Sequence, residues 1–139
     1  MLAELRSATA DDIPAVLAFW DTAAEPTSTD SASALAGLLR RDPVALIVAE
    51  VGGRIVGSVI AGWDGWRGAI YRLAVDAEHR RHGVGHTLLL AAEDHLAALG
   101  ARRLHAIVVG SNPNGVAFWE ASDWEQQVGQ LRYAKGSPG

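Results

Sequence analysis

The sequence predicts an α/β fold in which helices flank a central mixed sheet, in the order β-α-α-β-β-β-α-β-α-β. Two observations predict this class. Short β-rich apolar runs alternate with segments whose apolar residues recur at helical spacing, and a glycine-rich turn at residues 80–86 joins a buried strand to a helix. Because 139 residues are the length of one domain, we expect a single domain over residues 1–135 and a loose tail over residues 136–139.

The N-terminal part of the chain is predicted to form one strand and two helices. A strand over residues 2–8 precedes Thr9, which resembles a helix N-cap because an acidic residue, Asp12, follows three positions later. Apolar residues at helical spacing then indicate the first helix. A second, short helix over residues 34–41 ends before Pro43, since the residue that precedes a proline disfavours helical geometry.

Three strands joined by turns are predicted next. The apolar runs 44–51 and 54–63 flank a Gly-Gly pair, which indicates a β-hairpin. A second turn over residues 64–68 leads into a strand over residues 69–76, whose β-rich and apolar character is typical of a buried strand. These three strands are expected to form the centre of the sheet.

The rest of the chain is predicted to continue the alternation of helices and strands. The helix after the glycine-rich turn ends at Gly100, a residue type that helix C-termini favour because it takes positive φ easily. A fifth strand over residues 104–109 and a short helix after Pro113 follow. A last strand near residues 126–134 completes the order.

The glycine-rich turn predicts an anion site. Residues 80–86 read RRHGVGH, and the first N–H groups of the helix that follows lack partners within it. Those donors, the positive end of the helix and the two arginines together suit a phosphate or pyrophosphate. A nucleoside-triphosphate loop is excluded because no Lys-Ser or Lys-Thr pair follows the glycines, and the GxGxxG dinucleotide fingerprint is not met. The turn therefore suggests a phosphorylated cofactor.

With its neighbours, this turn resembles a known family. The pattern Arg-x-x-Gly-x-Gly, from Arg80 to Gly85, resembles the pyrophosphate loop of the GNAT superfamily of N-acetyltransferases. The segment 73–76 is similar to that family's Leu-x-Val-x-Pro motif, with Ala77 in place of proline. Residues 112–124 are similar to its Asn-x-x-Ala-x-x-Phe-Tyr-x-x-x-Gly-Phe block. The likeness is to the small bacterial type and to the ribosomal-protein alanine acetyltransferase branch, and it implies a mostly antiparallel sheet.

The resemblance implies acetyl-CoA as the acyl donor and a set of residues that bind it. In the family, a bulge in the fourth strand offers backbone groups to the pantetheine arm and an N–H to the thioester carbonyl, here assigned to Ala74. One such donor is commonly worth about 3–4 kcal/mol of transition-state stabilisation. The implied binding residues lie on that strand, in the loop and in the C-terminal motif: Leu73, Ala74, Val75, Arg80, Arg81, His82, Gly83, Val84, Gly85, His86, Asn112 and Trp119.

The proton-transfer residues of the family do not carry over. Trp119 stands at the position of a tyrosine that protonates the leaving thiolate, and Ile107 stands where the alanine acetyltransferase branch has a glutamate base. Tyr71, on the cofactor strand, and His105, two residues before Ile107, are the substitute candidates. Because a thiol of pKa about 8.5 leaves as thiolate without much help, the loss of an acid slows such an enzyme without abolishing its activity.

Two other segments have competing interpretations. Residues 63–68, reading WDGWRG, form an ordinary turn in one interpretation and an acceptor pocket or dimer contact in the other. Three histidines, His79, His82 and His86, are close in sequence, but hydrogen bonding beside a pyrophosphate explains them more simply than metal binding. We therefore expect no metal.

Bulk properties exclude several classes of protein. There is no cysteine, so disulfides, thiolate metal sites and cysteine nucleophiles are excluded. The net charge of −4 argues against nucleic acid as a partner and favours a cationic acceptor. No apolar run approaches the ~20 residues of a membrane span, and no signal peptide is visible. A cytoplasmic protein without nucleic-acid or membrane partners is expected.

These observations predict an acetyl-CoA-dependent N-acetyltransferase in which an amine attacks the thioester directly, without a covalent enzyme intermediate. The alternative is a CoA-binding or acetyl-CoA-binding homologue with weak or lost catalysis, consistent with Ile107 and Trp119. A third option is an acyltransferase that uses a longer acyl group. The acceptor would be a small-molecule or peptide amine, and its identity is left open, as is a homodimeric state.

Overall fold

The computed structural model describes residues 2–108 and 113–136. Its helices are α1 (Ile13–Ala23), α2 (Ala32–Arg41), α3 (Val84–Leu99) and α4 (Pro113–Ala121), and its strands are β1 (Glu4–Ser7), β2 (Leu46–Val51), β3 (Arg54–Trp63), β4 (Gly68–Val75) and β5 (Leu104–Ala106). Short 3₁₀ turns precede α1 and follow β4. None of these described helices is long and apolar enough to cross a membrane. The chain falls into two compact units, one through Ile107 and one from Val108 onward.

The first unit contains a five-stranded sheet in the order β1-β2-β3-β4-β5. The first four strands pair antiparallel and β5 pairs parallel to β4, so the sheet is mixed and mostly antiparallel. This architecture, with its order of helices and strands from β1 to α4, confirms the expected fold class.

Both faces of the sheet are covered, which explains the continuous apolar run at the start of β2. The side chains of Val16, Trp20 and Leu35, from α1 and α2, pack on one face in the main apolar cluster. On the other face α3 approaches the glycines of β3 and β4, where Leu88 lies against Gly57. A strand buried on both faces needs apolar residues at successive positions rather than at alternate ones.

The 3₁₀ turn that leads into α1 is stabilised by three charged side chains, Arg6, Asp12 and Glu50. As predicted from its spacing, Asp12 reaches back to Thr9, whose N–H donates to its carboxylate at 2.7 Å. The Arg6 guanidinium donates to the same carboxylate from two nitrogens, at 2.7 and 2.8 Å. It also pairs with Glu50 on β2. The Arg6 guanidinium, and after it the Thr9 N–H, hold the pKa of Asp12 well below its usual range.

Asp12→Ala is expected to lower the free energy of unfolding by about 1–2 kcal/mol at pH 7, a loss of the size usual for helix caps, because it removes the acidic half of the capping box that begins at Thr9. Because the folded pKa of Asp12 is depressed, its contribution is complete above the unfolded pKa of about 3.9 and is lost as pH falls toward the folded value. Urea unfolding at several pH values should therefore show a constant gap between wild type and variant down to about pH 5 and a narrowing gap below about pH 4. A gap that widens in acid would contradict this assignment.

The second unit is described only in part. It contains α4 and an irregular stretch at residues 124–136, so the predicted last strand near residues 126–134 is wrong. Gly129 lies in a turn and has φ +90°, and Val128, Leu131 and Tyr133 are all largely exposed. A strand gains its stability from backbone hydrogen bonds to a neighbouring strand, and the described residues of this unit contain no other strand.

Candidate functional site

The edge of β4 opens where its pairing with β5 ends. The last ladder pair joins Ile70 to Ala106, whereas β4 continues to Val75. Residues 71–75 therefore have no strand beside them on that edge within the described part of the chain. Backbone groups on such an edge are available to an extended ligand, since an unpaired strand edge offers a row of donors and acceptors.

A bulge interrupts β4 at the start of this open edge. Ile60 on β3 pairs with Tyr71 and Ser58 pairs with Ala74, so two residues of β4, Arg72 and Leu73, stand opposite one residue of β3. Arg72 takes the left-handed conformation, with φ +51°. The bulge expected from the resemblance is therefore present.

The register of β4 decides which backbone groups face the open edge. The Asp76 N–H donates to Val56 on β3 at 2.8 Å, and directions alternate along a strand, so the N–H of Ala74 also faces β3. The groups of Leu73 and Val75 face the open edge. In agreement, the Val75 carbonyl accepts from Arg80 Nε at 3.0 Å. This geometry disfavours the Ala74 N–H as the donor to a ligand and favours the N–H groups of Leu73 and Val75.

The glycine-rich turn leads from this end of β4 into α3. Arg81 and Gly83 have φ +66° and +83°, and the chain enters α3 at Val84 directly after them. Gly83, the N-cap residue, offers no side-chain cap, and the first turn of α3 contains no acidic residue. The N-terminus of this 16-residue helix thus has the donors and the positive field that bind an anion.

The substitute catalytic candidates occupy different parts of the sheet. Tyr71 lies beside the bulge, is 52% exposed and places its ring against Gly62. His105 pairs with Ala69, nearer the other end of β4. The geometry therefore brings Tyr71 to the bulge and leaves His105 several residues away from it. Ile107 follows β5 and is also more than half exposed.

The turn over residues 63–68 lies at the far end of β4 from the bulge. The Asp64 carboxylate accepts from the N–H groups of Arg67 and Trp66 at 2.6 and 2.7 Å, and these two bonds hold its pKa below the usual range. Trp66 is 71% exposed, and the Arg67 guanidinium stacks on its ring at 4.2 Å. The segment is thus a well-formed turn, about 20 Å along β4 from Val75 at 3.3 Å per residue.

One of the three histidines near the loop, His79, belongs to a group of side chains that could hold a metal ion. Within residues 2–108 and 113–136, the grouping whose ligand atoms lie together consists of Asp76, Glu78 and His79, within 4.8 Å. The Asp76 carboxylate accepts from the Glu78 N–H at 2.7 Å and pairs with Arg54 at 3.1 Å, and the Glu78 carboxylate lies 3.9 Å from the same guanidinium.

The C-terminal motif lies in the second unit. Trp119 in α4 packs edge to face against Trp124, with ring centroids 4.7 Å apart, and against Phe118 at 5.8 Å. Asp123, which stands where the family has glycine, has φ +64°, the conformation that glycine adopts most easily. Asn112, a predicted cofactor contact, lies outside the described residues.

Comparisons with known proteins show the family of this chain. Residues 8–123 match the model of the Acetyltransferase (GNAT) family. Over 134 residues, the chain is 32% identical to an acetyltransferase of Sodalis glossinidius, an alignment that covers 95% of this chain and 94% of that relative.

Solved structures share the fold. AAC(6')-Iy, in complex with the bisubstrate analogue CoA-S-monomethyl-acetylneamine, superposes with a TM-score of 0.76 at 16% identity, over 99% of this chain and 100% of that chain. The ribosomal-protein-S18-alanine N-acetyltransferase from Escherichia coli superposes with a TM-score of 0.71 at 22% identity, over 88% and 77%. From the family match and the identity to its relative, we conclude that the chain belongs to the GNAT family of acetyl-CoA-dependent N-acetyltransferases.

Proposed function

We propose that this chain transfers an acetyl group from acetyl-CoA to an amine by direct attack of the amine on the thioester. One observation carries the proposal: the open, bulged edge of β4 leads to the N-terminus of α3, which has no side-chain cap, through residues 76–83, a 3₁₀ turn followed by the glycine-rich turn. A ligand with an extended, hydrogen-bonding arm and a diphosphate needs two such sites in this order. Acetyl-CoA has both parts, and it supplies the activated acetyl group.

The residues present fit this ligand. The backbone N–H groups at the start of α3, from Val84 to His86, would hold the pyrophosphate, and Arg80 and Arg81 would add positive charge. The backbone of Leu73 and Val75 would pair with the pantetheine arm. A donor from the same edge would polarise the thioester carbonyl, a contact worth about 3–4 kcal/mol in comparable sites.

Proton transfer is proposed to run through Tyr71 or through water. Tyr71 directly precedes the bulge and is half exposed, and its ring lies against Gly62, so a change of its side-chain rotamer would bring the hydroxyl toward the acceptor or the departing sulfur. A tryptophan cannot serve as a general acid, because its indole N–H does not release its proton near neutral pH. General acid–base assistance is typically worth 10²–10⁴-fold, so we expect slow but measurable turnover.

The acceptor is proposed to be a small-molecule or peptide amine, attracted as a cation by a chain of net charge −4. We further propose a single domain over residues 1–135 that acts in the cytoplasm. A homodimer is compatible with this function and is not required by it.

The second candidate is a protein that binds acetyl-CoA but has lost efficient catalysis. It is favoured by the exposed Ile107, which follows β5 where the alanine acetyltransferase branch has its glutamate. The two candidates differ in a single observable, the release of free thiol that depends on an amine.

Calorimetric titration with acetyl-CoA, followed by thiol release, tests the proposal. The amines to be screened are spermidine, Nα-acetyl-lysine, kanamycin and a peptide with an N-terminal alanine. Micromolar binding together with amine-dependent thiol release is expected. Binding without release would favour the second candidate, and an absence of binding would reject both.

Trp119→Tyr is expected to raise the rate of thiol release at least tenfold without changing the affinity for acetyl-CoA. The substitution restores the hydroxyl that this position has in the family, and a general acid is worth at least that factor. Trp124→Tyr is the matched control, since it alters the other ring of the same edge-to-face pair. Equal rates in all three proteins would show that proton transfer runs elsewhere.

A further inference from the structure

Arg72 has a backbone conformation that is unusual for its residue type. Its φ of +51° lies in the left-handed region, which is disfavoured for residues with a Cβ atom. In the bulge, Arg72 and Leu73 both lie opposite Val59. Regular pairing between β3 and β4 therefore does not determine the backbone conformation of Arg72. Neighbouring groups must therefore hold it.

A buried chain of hydrogen bonds holds the Arg72 carbonyl. Ser58 Oγ donates to this carbonyl at 2.8 Å and accepts from the Trp20 indole N–H at 2.8 Å. Ser58 is fully buried in the otherwise apolar core of the described residues. Because a buried hydroxyl or indole N–H is costly when unpaired, these bonds favour the conformation that turns the Arg72 carbonyl toward Ser58.

The Arg72 side chain ties the bulge to the connection between α1 and α2. Its guanidinium stacks over the Trp20 ring at 4.8 Å, donates to the Glu25 carbonyl at 2.8 Å and pairs with the Asp30 carboxylate. The Arg72 side chain is only 13% exposed. One residue thus joins β4, α1 and residues 24–31.

We propose that Arg72 is a positioning residue for acetyl transfer, which holds residues 24–31 against the bulge beside the thioester site. This inference rests on the proposed function. An acceptor that approaches the bulge from the face covered by α1 and α2 must pass this connection, so the position of the connection orients the attacking amine. Misplacement of a reactant by about 1 Å is enough to slow an enzymatic step about 100-fold.

Arg72→Gly separates the backbone role of this residue from its side-chain role. Glycine adopts positive φ without steric cost, so the bulge and its bond to Ser58 should persist while the contacts to Glu25 and Asp30 are lost. Hydrogen exchange measured by mass spectrometry is expected to be at least tenfold faster at residues 24–31 and unchanged at residues 73–75. Arg54→Gly, which removes an exposed pair with Asp76, is the matched control and should leave residues 24–31 protected.

The kinetic readout separates positioning from a merely structural role. In Arg72→Gly, the affinity for acetyl-CoA should stay within threefold of wild type, while kcat/KM for the most active of the four screened amines falls at least tenfold. Arg72→Lys, which keeps the charge but not the fork of donors, should recover part of this loss. Asp30→Asn removes one partner only, and it should show the same changes more weakly even where Arg72→Gly does not fold.

Two results would overturn the inference. One is unchanged exchange at residues 24–31 in both Arg72→Gly and Asp30→Asn. The other is faster exchange with unaltered amine kinetics, which would make Arg72 a structural residue only. A wild-type protein that does not bind acetyl-CoA would instead reject the proposed function, and the exchange experiment would still test the contacts of Arg72.

Discussion

Gly83→Val is expected to weaken acetyl-CoA binding about 100-fold. Gly83 has φ +83° at the entry of α3, where a β-branched residue is strained by about 1–2 kcal/mol. Relief of that strain would rotate the turn and misdirect the N–H groups that follow it. A hydrogen bond to a charged group contributes about 1.5–3 kcal/mol, so losing one or two of them accounts for a 100-fold change in Kd. Calorimetric titration measures the effect.

Gly53→Val is the matched control for this prediction. Gly53 has φ +79° and, like Gly83, has open space where a Cβ would lie, but it belongs to the turn between β2 and β3. Both variants should lose similar unfolding free energy in urea, whereas only Gly83→Val should lose affinity. Equal affinities of the two variants for acetyl-CoA would show that the glycine-rich turn is not part of the binding site.

Much of the fold was predictable because its local signals agree with its packing. The strand over residues 54–63 was predicted with the bounds observed, since a Gly-Gly turn and an apolar run define it. The helix after the glycine-rich turn also ends before Gly100, as predicted. In an element that is buried on one face or on both, the apolar residues of the sequence are those that pack in the core, so their spacing predicts the type of element.

The unpredicted features depend on contacts between residues that are distant in sequence. Ser58 bonds to Trp20 and to Arg72, which lie 38 and 14 positions away, and nothing in the local sequence marks this trio. The direction of the Ala74 N–H follows from the register of β3 against β4, which sequence pattern alone does not give. The last strand was predicted from local composition, but the described residues of the second unit contain no strand that residues 126–134 could pair with.

Gly57→Leu is expected to lower the unfolding free energy by about 3 kcal/mol, the upper part of the usual range for overpacking. A Cβ at this position would lie 2.8 Å from Leu88 Cδ1 and 3.2 Å from Val84 Cγ1. Leu88 is completely buried and cannot turn toward solvent, so α3 itself must shift away from the sheet. At this chain length, the loss corresponds to a fall in Tm of about 10 °C.

The same substitution should also weaken acetyl-CoA binding at least tenfold, because Val84 is the first residue of α3 and directly follows the turn that would hold the pyrophosphate. Gly62→Leu, on the same strand, is the control: its new side chain would meet the Tyr71 ring at 2.9 Å, and this half-exposed ring has room to move into solvent. Gly62→Leu should therefore cost less stability and leave the affinity unchanged. If Gly57→Leu loses stability but binds acetyl-CoA like wild type, the pyrophosphate does not depend on the position of α3, and the anion site must be sought elsewhere on the chain.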